Sequence, residues 1–221
     1  MSSLDLCVFD LDGTLVDSLQ DIAEALNECL ELLGLPTHSA ERCRYMVGEG
    51  IPTLCRRAIG ESHPHLLERL IELARARYRA RPLRHTRPYA GVPRAVTAAA
   101  GHARALAVLS NKPHEMTVRV VNEFWPAGVF AAVRGYTGES QRKPDPAGLL
   151  AICEATGASP ARTCLVGDTP TDVETARRAG ALMIGVTWGF RTREDLLAAG
   201  CERLIDWPTE LEVALRALAP D

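Results

Sequence analysis

The spacing of apolar residues changes character twice along this chain. Leu4–Asp10 is a short, largely apolar run that ends in a carboxylate, the pattern of a buried parallel strand. Asp12-Gly13-Thr14 then reads as a turn. From about Ser18 the spacing is helical: Leu19, Ile22, Ala23, Leu26, Leu30 and Leu33 recur on one side, and Gly34 with Pro36 ends the helix. Further helices are expected at about Ala40–Val47, Ile51–Ile59 (closed by Gly60) and His65–Arg81, with no strand between them. Pro82 and Pro88 mark a linker. From Gly91 the pattern alternates. Strands are expected at Arg104–Ser110, near Phe130–Arg134, and at Thr163–Asp168, Leu182–Val186 and Arg203–Ile205. Helices are expected at 93–101, 114–124, 146–156, 170–179, 193–199 and 208–218.

Alternating strands and helices imply a doubly wound parallel sheet. Its first strand lies before the helical block, so that block is an insertion. The expected architecture is α/β: a Rossmann-like core formed by 1–16 and 88–221, and a small α-helical cap domain at 17–87. No repeat or low-complexity segment interrupts it.

Composition narrows the function classes. A chain of 221 residues with 47% hydrophobic residues can bury one substantial core and a small second domain. A net charge of -3 gives no basic footprint, so neither nucleic acid nor an anionic membrane is expected as a partner. The first residues have no basic region before their apolar run, which argues against a signal peptide. The most apolar stretch, around Ala95–Leu109, is interrupted by Gly101, His102 and Arg104, which argues against a membrane span. The 7 cysteines are scattered without a CxxC pair, as expected of reduced thiols in the cytoplasm. Among 25 Lys and Arg residues only Lys112 and Lys143 are lysines. An arginine-biased composition leaves those two exceptions as candidates for ammonium chemistry.

Ligands of open parallel sheets bind at the carboxyl ends of the strands. Three expected strands end in polar residues: Asp10, Ser110-Asn111 and Asp168. Asp10 and Asp12 are two residues apart, so in an extended chain their side chains lean the same way. Asp168 and Asp172 bring two more carboxylates to the same edge. Gathering four is costly without a cation, and oxygen-only ligation suits Mg²⁺. Gly13 and Thr14 can offer backbone N–H groups, Ser110 and Asn111 side-chain donors, and Lys143 a point charge. Such groups suit a transferring phosphoryl group. Asp10 is then the in-line nucleophile, and Asp12 protonates the leaving oxygen and later activates water.

DLDGTLVDS at 10–18, SN at 110–111, RKPDP at 142–146 and GDTPTD at 167–172 resemble the four ordered motifs of the haloacid dehalogenase superfamily, and the insertion after the first motif resembles its helical cap. The resemblance implies an aspartyl-phosphate mechanism with Asp10 as nucleophile and Asp12 as acid/base. It implies Asp10, the Asp12 carbonyl and Asp168 as Mg²⁺ ligands, with Asp172 orienting the metal site. It also implies Ser110 and Asn111 as phosphate contacts and Lys143 as the positive clamp. Asp12 argues against a dehalogenase, whose leaving group needs no proton. Ile22 stands where the related phosphomutases carry a cap histidine. A non-enzymatic binding module would be favoured by loss of a catalytic position, and none is lost.

The cap segment 47–50 and the stretch DSLQDIAEALNECLELLGLP look like those of phosphoglycolate phosphatases, which makes Glu49 a candidate substrate contact. The expected substrate is a small phosphorylated metabolite, with pyrophosphate, sugar phosphates and amino-sugar phosphates as alternatives. The expected protein is a monomer or homodimer.

Each candidate also has a plainer reading. Asp10 or Asp168 alone reads as a strand-end turn residue, and the glycines flanking Glu49 as a simple helix–helix turn. Ser110 is placed to cap the helix entered at Pro113, and Asp172 to favour a helix dipole. Lys112 is expected to be solvated, as are Arg75, Arg79 and Arg81. His63, His65 and His85 show no metal spacing and are expected at the surface.

Overall fold

The computed structural model of the chain describes residues 4–80, 83–138 and 142–218. Arg81 and Pro82, where a helix end and linker are expected, lie outside them. A six-stranded, all-parallel sheet forms the centre, in the order β5-β4-β1-β6-β7-β8. Its strands are β1 (Leu4–Phe9), β4 (Ala103–Pro113), β5 (Ala132–Tyr136), β6 (Thr163–Gly167), β7 (Leu182–Val186) and β8 (Leu204–Ile205). The chain starts in the middle, winds outward through β4 and β5, then crosses to β6, β7 and β8. The ends of β1, β4 and β6 therefore flank the point where the winding reverses.

Two-residue alternation sends side chains to both faces of the sheet. Cys7 and Phe9 of β1 join a cluster with helices α5 (Val92–Ala99), α6 (His114–Phe124) and α10 (Leu211–Arg216). Leu6 and Val8 pack on the other face with α7 (Ala147–Thr156) and α8 (Pro170–Ala179). Short α9 (Arg193–Ala198) leans on α8 through Leu196.

Between β1 and α5 the chain makes α1 (Leu19–Leu32), α2 (Ala40–Arg44), α3 (Ile51–Ile59) and α4 (Leu67–Ala80), which share a second core including Leu26, Leu30, Cys55 and Leu70. The chain leaves and re-enters the core through β2 (Val16–Asp17) paired antiparallel with β3 (Arg87–Pro88).

Several boundaries differ from expectation. β4 runs to Pro113, with a register irregularity against β5 between Leu109 and Pro113, so Ser110, Asn111 and Lys112 lie on the strand. The helix expected to reach Val47 stops at Arg44. The last helix is preceded by a separate 3-10 turn, Pro208–Glu210. Among the described residues no helix is long and apolar enough to cross a membrane.

Candidate active site

Asp10 is the first residue past β1 and is 6% exposed. Its Oδ1 accepts the Leu11 N–H at 2.7 Å and lies 2.8 Å from the Lys143 ammonium. Burial holds the Asp10 carboxyl well above the usual carboxylate range. Lys143 pulls it down, and the Asp172 and Asp168 charges push it further up.

Asp168 follows β6 and is fully buried. Its Oδ1 accepts from the Thr14 hydroxyl at 2.8 Å, and its Oδ2 from the Phe190 N–H at 2.8 Å. Burial, reinforced by the Asp172 charge, raises the Asp168 carboxyl to about 7 against those two donors. The loop geometry makes room for this carboxylate. Gly13 sits at φ +93, and a Cβ there or on Gly189 would overlap Asp168. Only glycine meets both demands at position 13.

Asp172 does two things at once. It is the third residue of α8 and forms a reciprocal cap with Thr169, whose side chain accepts the Asp172 N–H while Asp172 accepts the Thr169 N–H. Its other oxygen, Oδ1, is 2.5 Å from the Lys143 ammonium. Lys143 thus lies between Asp10 and Asp172. Burial alone would lower its pKa, and the two carboxylates outweigh that and raise it.

Asn111 holds Lys143 by the backbone: its Oδ1 accepts the Lys143 N–H at 2.7 Å and its Nδ2 donates to the Lys143 carbonyl at 2.9 Å. The same Nδ2 donates at 3.0 Å to the Gly48 carbonyl in the helical insertion. The Asn111 side chain is therefore spent on protein contacts, which departs from its expected role on phosphate. Gly13 and Thr14 depart likewise. Their N–H groups bond to the Val16 and Leu11 carbonyls inside the turn, and the Thr14 hydroxyl serves Asp168. Ser110 is 4% exposed, and its oxygen accepts the Lys112 N–H at 3.2 Å, leaving its hydroxyl hydrogen to donate. It does not cap α6, which has no side-chain cap.

Asp12 lies on the turn, and its Oδ1 accepts the Ser18 hydroxyl at 2.6 Å. Lys112, expected to be solvated, is 5% exposed and reaches both Asp12 oxygens, at 2.7 and 2.9 Å. It also donates to the Tyr78 hydroxyl of α4. The cause is simple: the strand continues three residues past its expected end at Ser110 and carries Lys112 into the site. Tyr78 was not singled out from the sequence. Burial pushes its phenol up to about 12, so it stays a neutral hydroxyl.

A cavity opens above these groups. Its floor includes Asp10, Asp12, Ser110 and Lys112, and its roof, from the helical insertion, includes Leu26, Gly48, Gly50, Ile51 and Tyr78. Glu49 is not among its walls. Its carboxylate pairs with Arg57, and its carbonyl accepts from Arg142 at 3.1 Å. Arg75 and Arg79 are exposed, as expected, and line a separate groove beyond Tyr78. His65 and His85 are exposed and His63 is half-buried.

The donor set fits a hard divalent cation. Asp10, Asp168 and Asp172 each offer a carboxylate oxygen, all within 4.8 Å of one another. The raised Asp10 and Asp168 carboxyls show the same crowding, and oxygen-only ligation suits such an ion. A second trio, Asp21, Glu24 and His85, also falls within that distance. The Asp21 oxygens there are already taken by the N–H groups of His85 and Thr86 and by the Thr86 hydroxyl.

A doubly wound core, a helical insertion after its first strand, and an aspartate–lysine site at the reversal point together define a haloacid dehalogenase-like hydrolase. That family's profile matches residues 7–186, and the chain belongs to it. It is 32% identical over 183 residues to the phosphoglycolate phosphatase of Aquifex aeolicus, covering 83% of this chain and 84% of that one. With the phosphoglycolate phosphatase of Pseudomonas putida it shares 33% identity over 221 residues, covering 97% and 78%. The crystal structure of a Lactobacillus delbrueckii subsp. bulgaricus protein superposes with a TM-score of 0.90 at 26% identity, covering 97% of this chain and 99% of that one.

Proposed function

We propose that this enzyme is a Mg²⁺-dependent phosphomonoesterase for small phosphorylated metabolites, working through an aspartyl-phosphate on Asp10, with 2-phosphoglycolate as its leading substrate. The observation that carries the reading is the Lys143 ammonium held between Asp10 and Asp172, beside Asp168, where Asp10 forms part of the floor of a cavity roofed by the helical insertion.

Asp10, Asp168 and the Asp12 carbonyl would hold the Mg²⁺, with Asp172 orienting the site; when bound, the ion offsets the charge of the phosphoryl oxygens and the carboxylates. Lys143 pulls the Asp10 carboxyl toward its ionised form and aims it, through the Oδ1 contact. Asp10 attacks phosphorus in line, the bond from phosphorus to the leaving oxygen breaks, and Asp12 delivers a proton to that oxygen. Asp12, now a base, takes a proton from the water that attacks the aspartyl-phosphate, and phosphate departs. Ser110 and Lys143 donate to the phosphoryl oxygens throughout.

Core residues meet only the phosphoryl group, so selectivity falls to the insertion. We assign 17–87 as a cap domain over a core of 1–16 and 88–221. The cap face of the cavity is mostly apolar; apart from the Tyr78 hydroxyl, which Lys112 engages, its polar feature is the start of α3, which follows Gly48-Glu49-Gly50 and has no side-chain cap. Unsatisfied N–H groups at a helix start suit an anion, such as the carboxylate of a small phosphorylated acid. The names of the relatives favour the same substrate. The 7 cysteines are all buried and unpaired, which suits a reducing cytoplasm.

A panel of phosphorylated metabolites, assayed with Mg²⁺ and again with EDTA, tests this reading. We expect 2-phosphoglycolate to give the highest kcat/KM, nucleotides to be poor, and EDTA to abolish turnover. Asp10→Asn should remove nearly all activity and leave the circular dichroism spectrum unchanged. Substantial residual turnover in that variant would rule out the covalent mechanism.

A further inference from the structure

Lys112 has a task that its place in the strand does not require. An ammonium has three N–H donors, and the three acceptors around this one are Asp12 Oδ1, Asp12 Oδ2 and the Tyr78 hydroxyl. None is left over for a ligand. A buried ammonium is costly unless paired, so this one stands where a charge is wanted beside Asp12. The Asp12 carboxylate is in turn gripped from two sides, by Lys112 and by the Ser18 hydroxyl. Two of these partners belong to different bodies. Lys112 comes from β4 of the core, whereas Tyr78 comes from α4, the last helix of the insertion.

We propose that Lys112 is the positioning residue for Asp12, and that Tyr78 completes the arrangement only when the helical insertion sits on the core. The proton donor is then aligned with the leaving oxygen when the cavity is covered, and is loose when it is open. This inference rests on the reading of Asp12 as acid/base.

The test separates esters by how much their leaving group needs a proton. p-Nitrophenolate departs as a stable anion, whereas the alkoxide of n-propyl phosphate must be protonated as its bond to phosphorus breaks. The quantity compared is kcat/KM, which reports the steps through loss of the leaving group and is blind to hydrolysis of the aspartyl-phosphate. General acid catalysis contributes roughly 10²–10⁴-fold. Lys112→Met should therefore lower kcat/KM for n-propyl phosphate about 100-fold, with the p-nitrophenyl ester losing less than about tenfold. Tyr78→Phe removes one hydroxyl and should shift the ratio of the two esters in the same direction by a smaller factor.

Equal proportional losses on both esters, or no loss on either, would overturn the proposal. Asp12→Asn serves as the reference. If it too fails to separate the esters, the acid role of Asp12 is wrong. If it separates them while Lys112→Met and Tyr78→Phe do not, only the positioning role is wrong. Should Lys112→Met not fold, Tyr78→Phe decides alone, because a ratio unmoved by that variant counts against the proposal.

Discussion

Carboxylates crowded at a sheet edge leave a thermodynamic signature that can be measured without any substrate. The Asp168 carboxyl, raised to about 7 chiefly by burial, binds a proton more tightly in the folded chain than in the unfolded one. A raised acid of this kind favours the folded state at low pH, and that advantage fades as pH climbs from the unfolded value near 4 through about 7. A divalent cation competes with the same proton and binds only the folded site. Adding Mg²⁺ should therefore raise Tm clearly at pH 8, and little at pH 5. Asp168→Asn should remove most of the difference. A Mg²⁺ shift of equal size at both pH values, or one unchanged in the variant, would mean that these carboxylates do not hold the ion.

The chemistry at this scale was partly legible in the sequence. The four motifs pointed to Asp10, Asp168 and Lys143 because they occur together and in order; any one of these residues alone has a plainer reading. Roles that depend on where hydrogen bonds go were not legible. Asn111, Gly13 and Thr14 spend their donors inside the protein, and no pattern of residue types reveals that. Lys112 left one trace, its survival as a lysine among arginines, and local patterning pointed the other way.

Among the elements, the crossing between core and insertion is the least expected construction. Asp21 is 3% exposed on α1 and accepts the His85 and Thr86 N–H groups and the Thr86 hydroxyl, the last at 2.6 Å. It thereby stitches the outgoing helix to the returning strand beside the β2–β3 pair. Burial pushes the Asp21 carboxyl up, but the Thr86 and His85 donors outweigh it and hold it below the ordinary value. A depressed acid stabilises the fold above the unfolded pKa, and that contribution is lost as pH falls through the folded pKa. Asp21→Ala leaves buried donors unpaired and should cost about 1–3 kcal/mol at pH 7. The gap from the parent should begin to narrow only as pH falls below the unfolded value near 4, and close through the lower folded pKa. Denaturant unfolding at pH 7 and in steps downward from pH 4 checks both the size and its pH dependence, and a gap that stays constant to the lowest pH at which the parent folds would sink the account. Long periodic helices such as 114–124 and 170–179 could be placed from sequence because several turns repeat the same signal. Two-residue strands such as β2 and β3 carry no period at all, and a strand that continues past an irregularity, as β4 does, loses its alternation there.

Across the whole molecule, several of the contacts that join the two cores reach the site. Phe190 comes from the loop after β7 but is buried in the insertion's cluster, while its N–H holds Asp168. Burying one such ring favours the docked arrangement by roughly 1.5–3 kcal/mol, enough to bias it without locking it. Arg191, next in the chain, reaches three carbonyls of the segment after α2. Its Nη1 donates to Arg44 at 2.8 Å, and its Nη2 to Val47 at 2.7 Å and Tyr45 at 3.3 Å. That segment leads directly into the Gly48-Glu49-Gly50 turn over the cavity, so Arg191 fixes the roof from the loop that also holds Asp168. Arg191→Ala removes all three donors and leaves Phe190 in place. The roof should then stay near the core but lose its register. KM for 2-phosphoglycolate should rise by about tenfold, since covering loops commit a small substrate to the site. The p-nitrophenyl ester, which carries its own apolar bulk, should be affected less. Freed of the clamp, the segment should also become a better protease substrate, and Arg42 and Arg44 at the end of α2 supply tryptic sites at its start. Faster cleavage there, with the core fragments intact, is the expected digest. Parental cleavage kinetics together with an unchanged KM would show that the roof keeps its register without Arg191.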